Sequence, residues 1–240
     1  MRSFRRLGTA LSFLGVLIAM LVGVASAWAD YEGLSYFSTG AAFEPFQGLH
    51  CPVLLSQAEV GIVSSAFGNP TAKTIEPYYE VEISGLTDSR QLEGHLVVGP
   101  GLSQDVKWTV DARDVDLGYF VLVKVDVLPV AGYRTREATC GILVVPLPGL
   151  TGNSAVFLIV IVSMLCMLVG FILPVVGVSA AEAARLDMEA STPWRRLIQT
   201  LGIVSAMAML SGLAGWWLPA LLLFAISLLL LLLSLRYANL

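Results

Sequence analysis

Residues 155–181 form an apolar run that contains no charged side chain. A run of this kind can cross a lipid bilayer as a helix, because about 20 apolar residues span the hydrocarbon core. Two further apolar runs without charge follow at 197–217 and 219–235. The 240-residue chain is 56% apolar and only 13% charged, which is far from the composition of a soluble domain. The sequence therefore predicts a membrane protein with later spans at 154–181, 197–217 and 219–235.

The first 29 residues are typical of an export sequence. They begin with the basic residues Arg2, Arg5 and Arg6, continue with an apolar run and end in small residues. Ala27 and Ala29 on either side of a tryptophan resemble a signal-peptide cleavage site. We expect residues 1–29 to be a cleaved signal peptide; the alternative is an uncleaved anchor, since about 18 apolar residues can also cross a bilayer.

Arginine residues lie beside the apolar runs and predict the topology. Lys and Arg are enriched on the cytoplasmic side of membrane spans. This places the connector 182–196 and the tail 236–240 in the cytoplasm, and residues 30–150 outside it. We expect a multi-pass protein of a bacterial plasma (inner) membrane, with an extracytoplasmic domain and a cytoplasmic C-terminus.

The expected extracytoplasmic domain is acidic. Residues 30–150 hold 15 acidic and 7 basic residues, a net charge of −8. Nucleic acid is excluded as an expected partner, because binding to its phosphates requires a basic surface. The membrane spans hold no charged residue, and ion or proton pathways usually need one, so a transporter is not expected either.

Residues 53–147 alternate between apolar and polar side chains, with turn residues between short runs. The alternating apolar sets are Tyr79, Val81 and Ile83; Val106, Trp108 and Val110; and Tyr119, Val121, Val123, Val125 and Val127. A period of two residues is typical of half-buried antiparallel strands. Strands at intervals of about ten residues without a helical period predict an all-β sandwich or barrel.

The segment PGLSQDVKWTVDARDVDLGYFVLVKVDV, residues 100–127, resembles the later strands of immunoglobulin-like domains. Asp116, Gly118 and Phe120, with Tyr119 beside them, occupy the position of the corner that precedes a long strand in that family. The resemblance implies an antiparallel immunoglobulin-like β sandwich, joined here to transmembrane helices. It covers about 30 residues and implies no activity, because this fold carries many unrelated functions.

Cys51 and Cys140 are the only cysteines of the expected domain. Two cysteines outside the cytoplasm are more often bonded than free, so we predict a structural disulfide between them. A redox pair would need the C-x-x-C spacing, which is absent here. A blue-copper site would need two histidines and usually a methionine, but the chain has only His50 and His95, and residues 30–150 contain no methionine.

Two possible small-ligand sites remain. Asp111, Asp114 and Asp116 in DARDVD are weak candidates for calcium binding, because closely spaced carboxylates supply hard oxygen ligands. Tyr78, Tyr79 and Trp108 could form an aromatic site. No catalytic constellation is evident: a Ser-His-Asp triad could draw only on the two histidines, and no G-x-S-x-G elbow occurs. We predict no enzyme activity and no cofactor.

Small residues recur four positions apart in the second later span, and their spacing allows close helix packing. The pairs are Gly202 and Ala206, Ala208 and Gly212, and Ser211 and Gly215. They serve either packing within the chain or assembly with a partner. We expect a membrane-anchored interaction or accessory subunit that contacts a protein partner or itself through its spans or its β domain. The alternative is a tethered sensor or carrier of calcium or a small ligand.

Overall fold

The structure is a computed structural model that describes residues 2–37, 44–45, 48–128, 136–173 and 193–238. The chain divides into two compact units. One comprises Met1–Ala27 and Phe157–Leu240 and is helical; the other, Trp28–Val156, contains the β strands. Below they are called the helical unit and the β unit.

Nine strands make up the β unit in the described residues. Their bounds are β1 Glu44–Pro45, β2 Leu49–His50, β3 Leu54–Ser56, β4 Gly61–Gly68, β5 Tyr78–Ile83, β6 Arg90–His95, β7 Ser103–Val110, β8 Phe120–Val127 and β9 Arg136–Val145. A short 3-10 helix, Ala112–Asp114, lies between β7 and β8. The long strands β5, β7 and β8 coincide with the segments in which the sequence alternates.

The strands form two sheets. The larger sheet has the order β1-β9-β8-β5-β6, with β3 also paired to β9, and the smaller sheet has the order β2-β4-β7. The prediction of purely antiparallel pairing is wrong for the larger sheet, because β1 and β3 both run parallel to β9. Parallel pairing is possible here because a long stretch of chain separates β1 and β3 from β9, whereas neighbouring strands joined by short turns pair antiparallel.

One hydrophobic cluster receives side chains from both sheets. Val63, Phe67, Trp108 and Val110 come from the smaller sheet, and Val81, Ile83, Val121, Val123, Val125, Cys140 and Ile142 from the larger one. The alternation predicted from sequence is confirmed for β5, β7 and β8. Tyr119 departs from it, because it precedes the first residue of β8 and is half exposed.

Four α helices are described, and they are numbered here α1 Arg2–Tyr36, α2 Gly152–Ile172, α3 Pro193–Leu213 and α4 Trp217–Ala238. Three of them are long and apolar enough to cross a membrane: α1 over Leu7–Tyr36, α2 over its whole length and α4 over Trp217–Ser234. The apolar part of α3, Leu197–Leu213, is shorter. The end of the first predicted span and the predicted connector up to residue 192 lie outside the described residues.

Candidate interaction face

The predicted disulfide is confirmed. Cys51 and Cys140 are bonded, with their Cα atoms 6.5 Å apart. Cys140 belongs to the core of the β unit and pairs in register with Val123, while Cys51 packs against the same core from the segment between β2 and β3. The bond therefore ties an early segment of the β unit to its last strand, and neither sulfur remains as a thiol.

The carboxylates of the DARDVD turn each have a donor from the protein. Asp111 accepts hydrogen bonds from the backbone N–H and the guanidinium of Arg113, with an Nη2–Oδ2 distance of 2.7 Å. These bonds hold the pKa of Asp111 at about 2. Asp114 Oδ2 accepts from the backbone N–H of Asp111 at 2.9 Å and pairs with Arg90 at 3.1 Å. Both carboxylates thus cap the short 3-10 helix, and they bind Arg113 of that helix and Arg90 of β6.

Asp116 faces other donors. Its Oδ2 accepts from the hydroxyl of Tyr36 at 2.7 Å, and its Oδ1 accepts from the backbone N–H of Leu117 at 2.7 Å. Leu117 has a φ of +52°, a left-handed conformation that the Asp116 bond helps to hold. Within the described part of the chain, no group of three or more His, Cys, Asp or Glu residues is arranged to hold a metal ion.

The other predicted ligand groups are separated by the sheets. His50 lies on β2 of the smaller sheet and His95 at the end of β6 of the larger one. Tyr79 and Trp108 do meet, with ring centroids 5.8 Å apart, but they pack with the core rather than form an open site. Tyr78 points to the opposite face of β5, where its ring lies 4.8 Å from that of His95.

That opposite face of the larger sheet carries a row of carboxylates. In register, Glu137 of β9 pairs with Asp126 of β8, Asp126 pairs with Glu80 of β5, and Glu80 pairs with Glu93 of β6. Side chains directly opposite each other on neighbouring strands are about 4.5–5.5 Å apart at Cβ. Four acidic side chains therefore lie side by side across four strands.

A second row lies one step along the same strands. Glu82 of β5 pairs with Lys124 of β8, and Lys124 pairs with Thr139 of β9. Lys124 is the one cation of these two rows, and its Nζ lies 3.0 Å from Asp126 Oδ2. We call the surface formed by Glu80, Glu82, Glu93, Asp126 and Glu137 the acidic face. Sequence reasoning did not find it, because its members come from four separate segments.

Glu137 is a largely enclosed member of the acidic face. Its side chain is only 7% exposed, and Lys124 Nζ lies 3.4 Å from its Oε1. That contact lacks hydrogen-bond geometry, so the buried oxygen accepts no hydrogen bond from any described residue. Burial raises the pKa of Glu137, and Asp126 adds to the rise while Lys124 opposes it. The carboxylate thus lacks the full set of donors that a buried charge requires.

The negative charge of the acidic face raises the pKa of both Lys124 and Tyr78. Burial works against the charge of Lys124, but Asp126 and Glu137 outweigh it and raise the pKa of the lysine. At the other side of the face, Tyr78 donates a hydrogen bond to Glu93, which raises the pKa of the tyrosine to about 12. Both shifts have the sign expected beside a cluster of carboxylates.

Comparisons with known proteins assign neither a family nor an activity. No protein-family model matches the chain, and no curated protein matches it. Among solved structures, it is similar to the CARDB domain of a Pyrococcus furiosus protein, at 11% identity and a TM-score of 0.31, over 43% of this chain and 95% of that domain. The chain is also similar to a superoxide reductase (neelaredoxin) from Ignicoccus hospitalis, at 14% identity and a TM-score of 0.30. That match covers 40% of this chain and 78% of the reductase.

A larger enzyme also shares a weak similarity. A cycloisomaltooligosaccharide glucanotransferase from Paenibacillus sp. is 16% identical, with a TM-score of 0.32, over 42% of this chain. The match spans only 14% of the length of that enzyme.

Proposed function

We propose that this protein is a non-enzymatic, membrane-anchored accessory subunit whose extracytoplasmic domain binds a basic surface of another protein. The acidic face is the proposed binding surface. The observation that carries the proposal is the row Glu137, Asp126, Glu80 and Glu93, which sets four carboxylates in register across neighbouring strands. Lysine or arginine side chains of a partner would supply the charge that this row lacks.

The energetics of the row support a role in binding. Like charges directly opposite each other on neighbouring strands destabilise a sheet, by up to about 1 kcal/mol per pair. The row contains three such pairs, of which Lys124 bridges one, Asp126–Glu137. Folding alone gives no reason to place the remaining carboxylates together. A lysine or arginine of the partner would reduce this repulsion.

The placement of the domain is part of the same proposal. The two sheets would form an immunoglobulin-like sandwich, supported by the single cluster to which both contribute inward side chains. An extracytoplasmic position is supported by the Cys51–Cys140 disulfide, since such bonds persist in oxidising compartments. The arginines beside the apolar runs agree with this orientation, because they favour the cytoplasmic side.

Zero-length crosslinking tests the proposal on the full chain in its native membrane. A carbodiimide joins a carboxylate to a lysine that it contacts, so it links the acidic face directly to a basic partner. We expect a covalent adduct with a different polypeptide, in which mass spectrometry maps the link to Glu80, Glu93 or Asp126. The double variant Glu80→Gln/Glu93→Gln should lower the adduct yield at least about fivefold.

The matched control is Asp105→Asn, which removes an exposed carboxylate from β7 of the smaller sheet and should leave the yield unchanged. Three results would contradict the proposal. They are the absence of any adduct with another polypeptide, an adduct made only of two copies of this chain, and an adduct whose yield does not depend on Glu80 and Glu93.

A further inference from the structure

Helix α1 contains the cleavage site predicted from the sequence. The helix runs without a break over Arg2–Tyr36, and Ala27 and Ala29, the small residues of that site, are each only 1% exposed. Proteases prefer exposed, flexible segments. The position of these two alanines raises the question of whether α1 is removed at all.

In the helical unit, α1 packs against α2 through small residues on both helices. A Cβ added at Gly15 would lie 2.7 Å from the carbonyl oxygen of Ser163 and 2.7 Å from Met167 Cγ. A Cβ added at Gly170 of α2 would lie 2.6 Å from the carbonyl oxygen of Gly8. The hydroxyl of Ser163 also donates to the carbonyl of Gly15 at 2.9 Å. Each helix therefore needs small residues where the other approaches.

Helix α1 makes a second close contact with α3. A Cβ added at Gly212 would lie 2.9 Å from the carbonyl oxygen of Gly23, and one added at Gly23 would lie 3.2 Å from that of Ala208. Two small residues noted from the sequence, Ala208 and Gly212, thus serve packing within the chain. Within the most apolar stretch of each helix, 44% of the residues are buried in α1, whereas 17% are buried in α2 and 17% in α4. Helix α1 is the most enclosed of these three helices.

The last turns of α1 are equally fitted to the β unit. A Cβ added at Gly33 would lie 2.9 Å from the carbonyl oxygen of Cys140, and one added at Gly141 would overlap the carbonyl of Ala29. Ala29 also forms a buried cluster with Phe120 and Leu122 of β8. The fit is reciprocal: Gly33 of the helix faces the backbone of β9, and Gly141 of β9 faces the backbone of the helix.

We propose that α1 is retained in the mature protein as an uncleaved signal anchor, and that its last turns form a wall of the β unit. Cleavage after Ala29 would remove the backbone that Gly141 faces and one member of the cluster with Phe120 and Leu122. In the helical unit it would also remove the backbone that Gly170 and Gly212 face. Such glycine contacts at three separate surfaces are what a permanent element requires. A Cβ at Gly15, Gly170, Gly212 or Gly141 would lie less than 3.0 Å from backbone of the other element. The inference does not depend on the proposed partner.

The intact mass of the purified full-length protein tests the processing step. The chain carries a C-terminal tag, is expressed in a bacterium with its own N-terminus and is extracted in mild detergent. We expect the mass of the complete 25.7 kDa chain plus tag. Removal of residues 1–29 would lower the mass by about 3 kDa and would overturn the proposal.

A pair of glycine variants tests the docking of α1 on β9. Gly141→Ala should lower the melting temperature by at least about 5 °C, because the added methyl group overlaps the Ala29 carbonyl. Gly68→Ala is the matched control, since it also changes a strand glycine but its Cβ would meet nothing within 4 Å. Equal melting temperatures of the two variants would overturn the docking, because an alanine at 141 has no neighbour to displace if residues 1–29 are absent.

Discussion

Removing the Cys51–Cys140 disulfide should destabilise the β unit strongly. The bond joins residues separated by 89 positions, and in the chain-entropy model a closed loop of that length is worth about 4.6 kcal/mol at 25 °C. Unfolding a domain of this size changes the entropy by about 2.1 cal/mol/K per residue. For the β unit, Trp28–Val156, the double variant Cys51→Ala/Cys140→Ala should therefore melt about 15–20 °C lower than the unmodified chain.

The assay is thermal melting of the full chain in mild detergent, followed by circular dichroism of the β-sheet signal. Alanine is preferred to serine at position 140, because this residue lies in the core and a hydroxyl there would be desolvated. Cys166→Ala is the matched control. It replaces the free cysteine of α2, so it removes one sulfur without opening a covalent loop, and it should shift the melting temperature by less than about 3 °C.

The two variants separate the covalent constraint from the loss of sulfur atoms. The reasoning would be refuted if the double variant melted within about 5 °C of the unmodified chain. It would also fail if the unmodified chain, reduced before heating, melted well above the double variant, because the reduced chain has lost the same constraint.

Two further predictions concern ionisable groups of the β unit. Burial raises the pKa of Glu137 above the ordinary 4.5. Just above pH 4.5 the folded state therefore binds more protons than the unfolded state. The free energy of unfolding consequently rises as the pH falls from neutral towards 4.5. Glu137→Gln should therefore raise the melting temperature at pH 7, because glutamine carries no charge to bury. In thermal melts at a series of pH values, this gain should fade towards about pH 4.5. A gain that does not depend on pH would contradict the prediction. Because Asp111, Asp114 and Asp116 already have protein donors, millimolar calcium should leave the melting temperature of the full chain unchanged. A rise that grows with calcium concentration would instead demonstrate binding.

Local patterns predicted much of the β unit. Val121, Val123 and Val125 alternate with polar residues, and this alone assigns them to one face of a strand and to the core. The Cys51–Cys140 bond was also predictable, because the expected exported segment contains only these two cysteines. In both cases the information lies within one short segment or in a count of residues.

The acidic face was not predictable, because it depends on the register between segments far apart in the chain. Glu80 and Asp126 face each other only because β5 and β8 pair at that offset, and a shift of one residue would turn one of the two strands to its other face. The parallel pairing of β3 with β9 was not predictable for the same reason, since these strands are also far apart in the chain. The composition of residues 30–150 reveals an excess of negative charge, but it does not reveal that five of the carboxylates lie on one face of the larger sheet.

The position of β9 sets the order in which the β unit can form during synthesis. This strand, the last of the nine in the described residues, pairs with β1, β3 and β8 and carries Cys140. Until Arg136–Val145 has emerged, β1 and β3 have no strand to pair with in the larger sheet, and Cys51 lacks its bonding partner. Folding that depends on contacts between distant segments is slow and leaves strand edges exposed while it waits. A nascent chain stalled before residue 136 should therefore depend on chaperones, and the β unit becomes self-sufficient only when β9 is released.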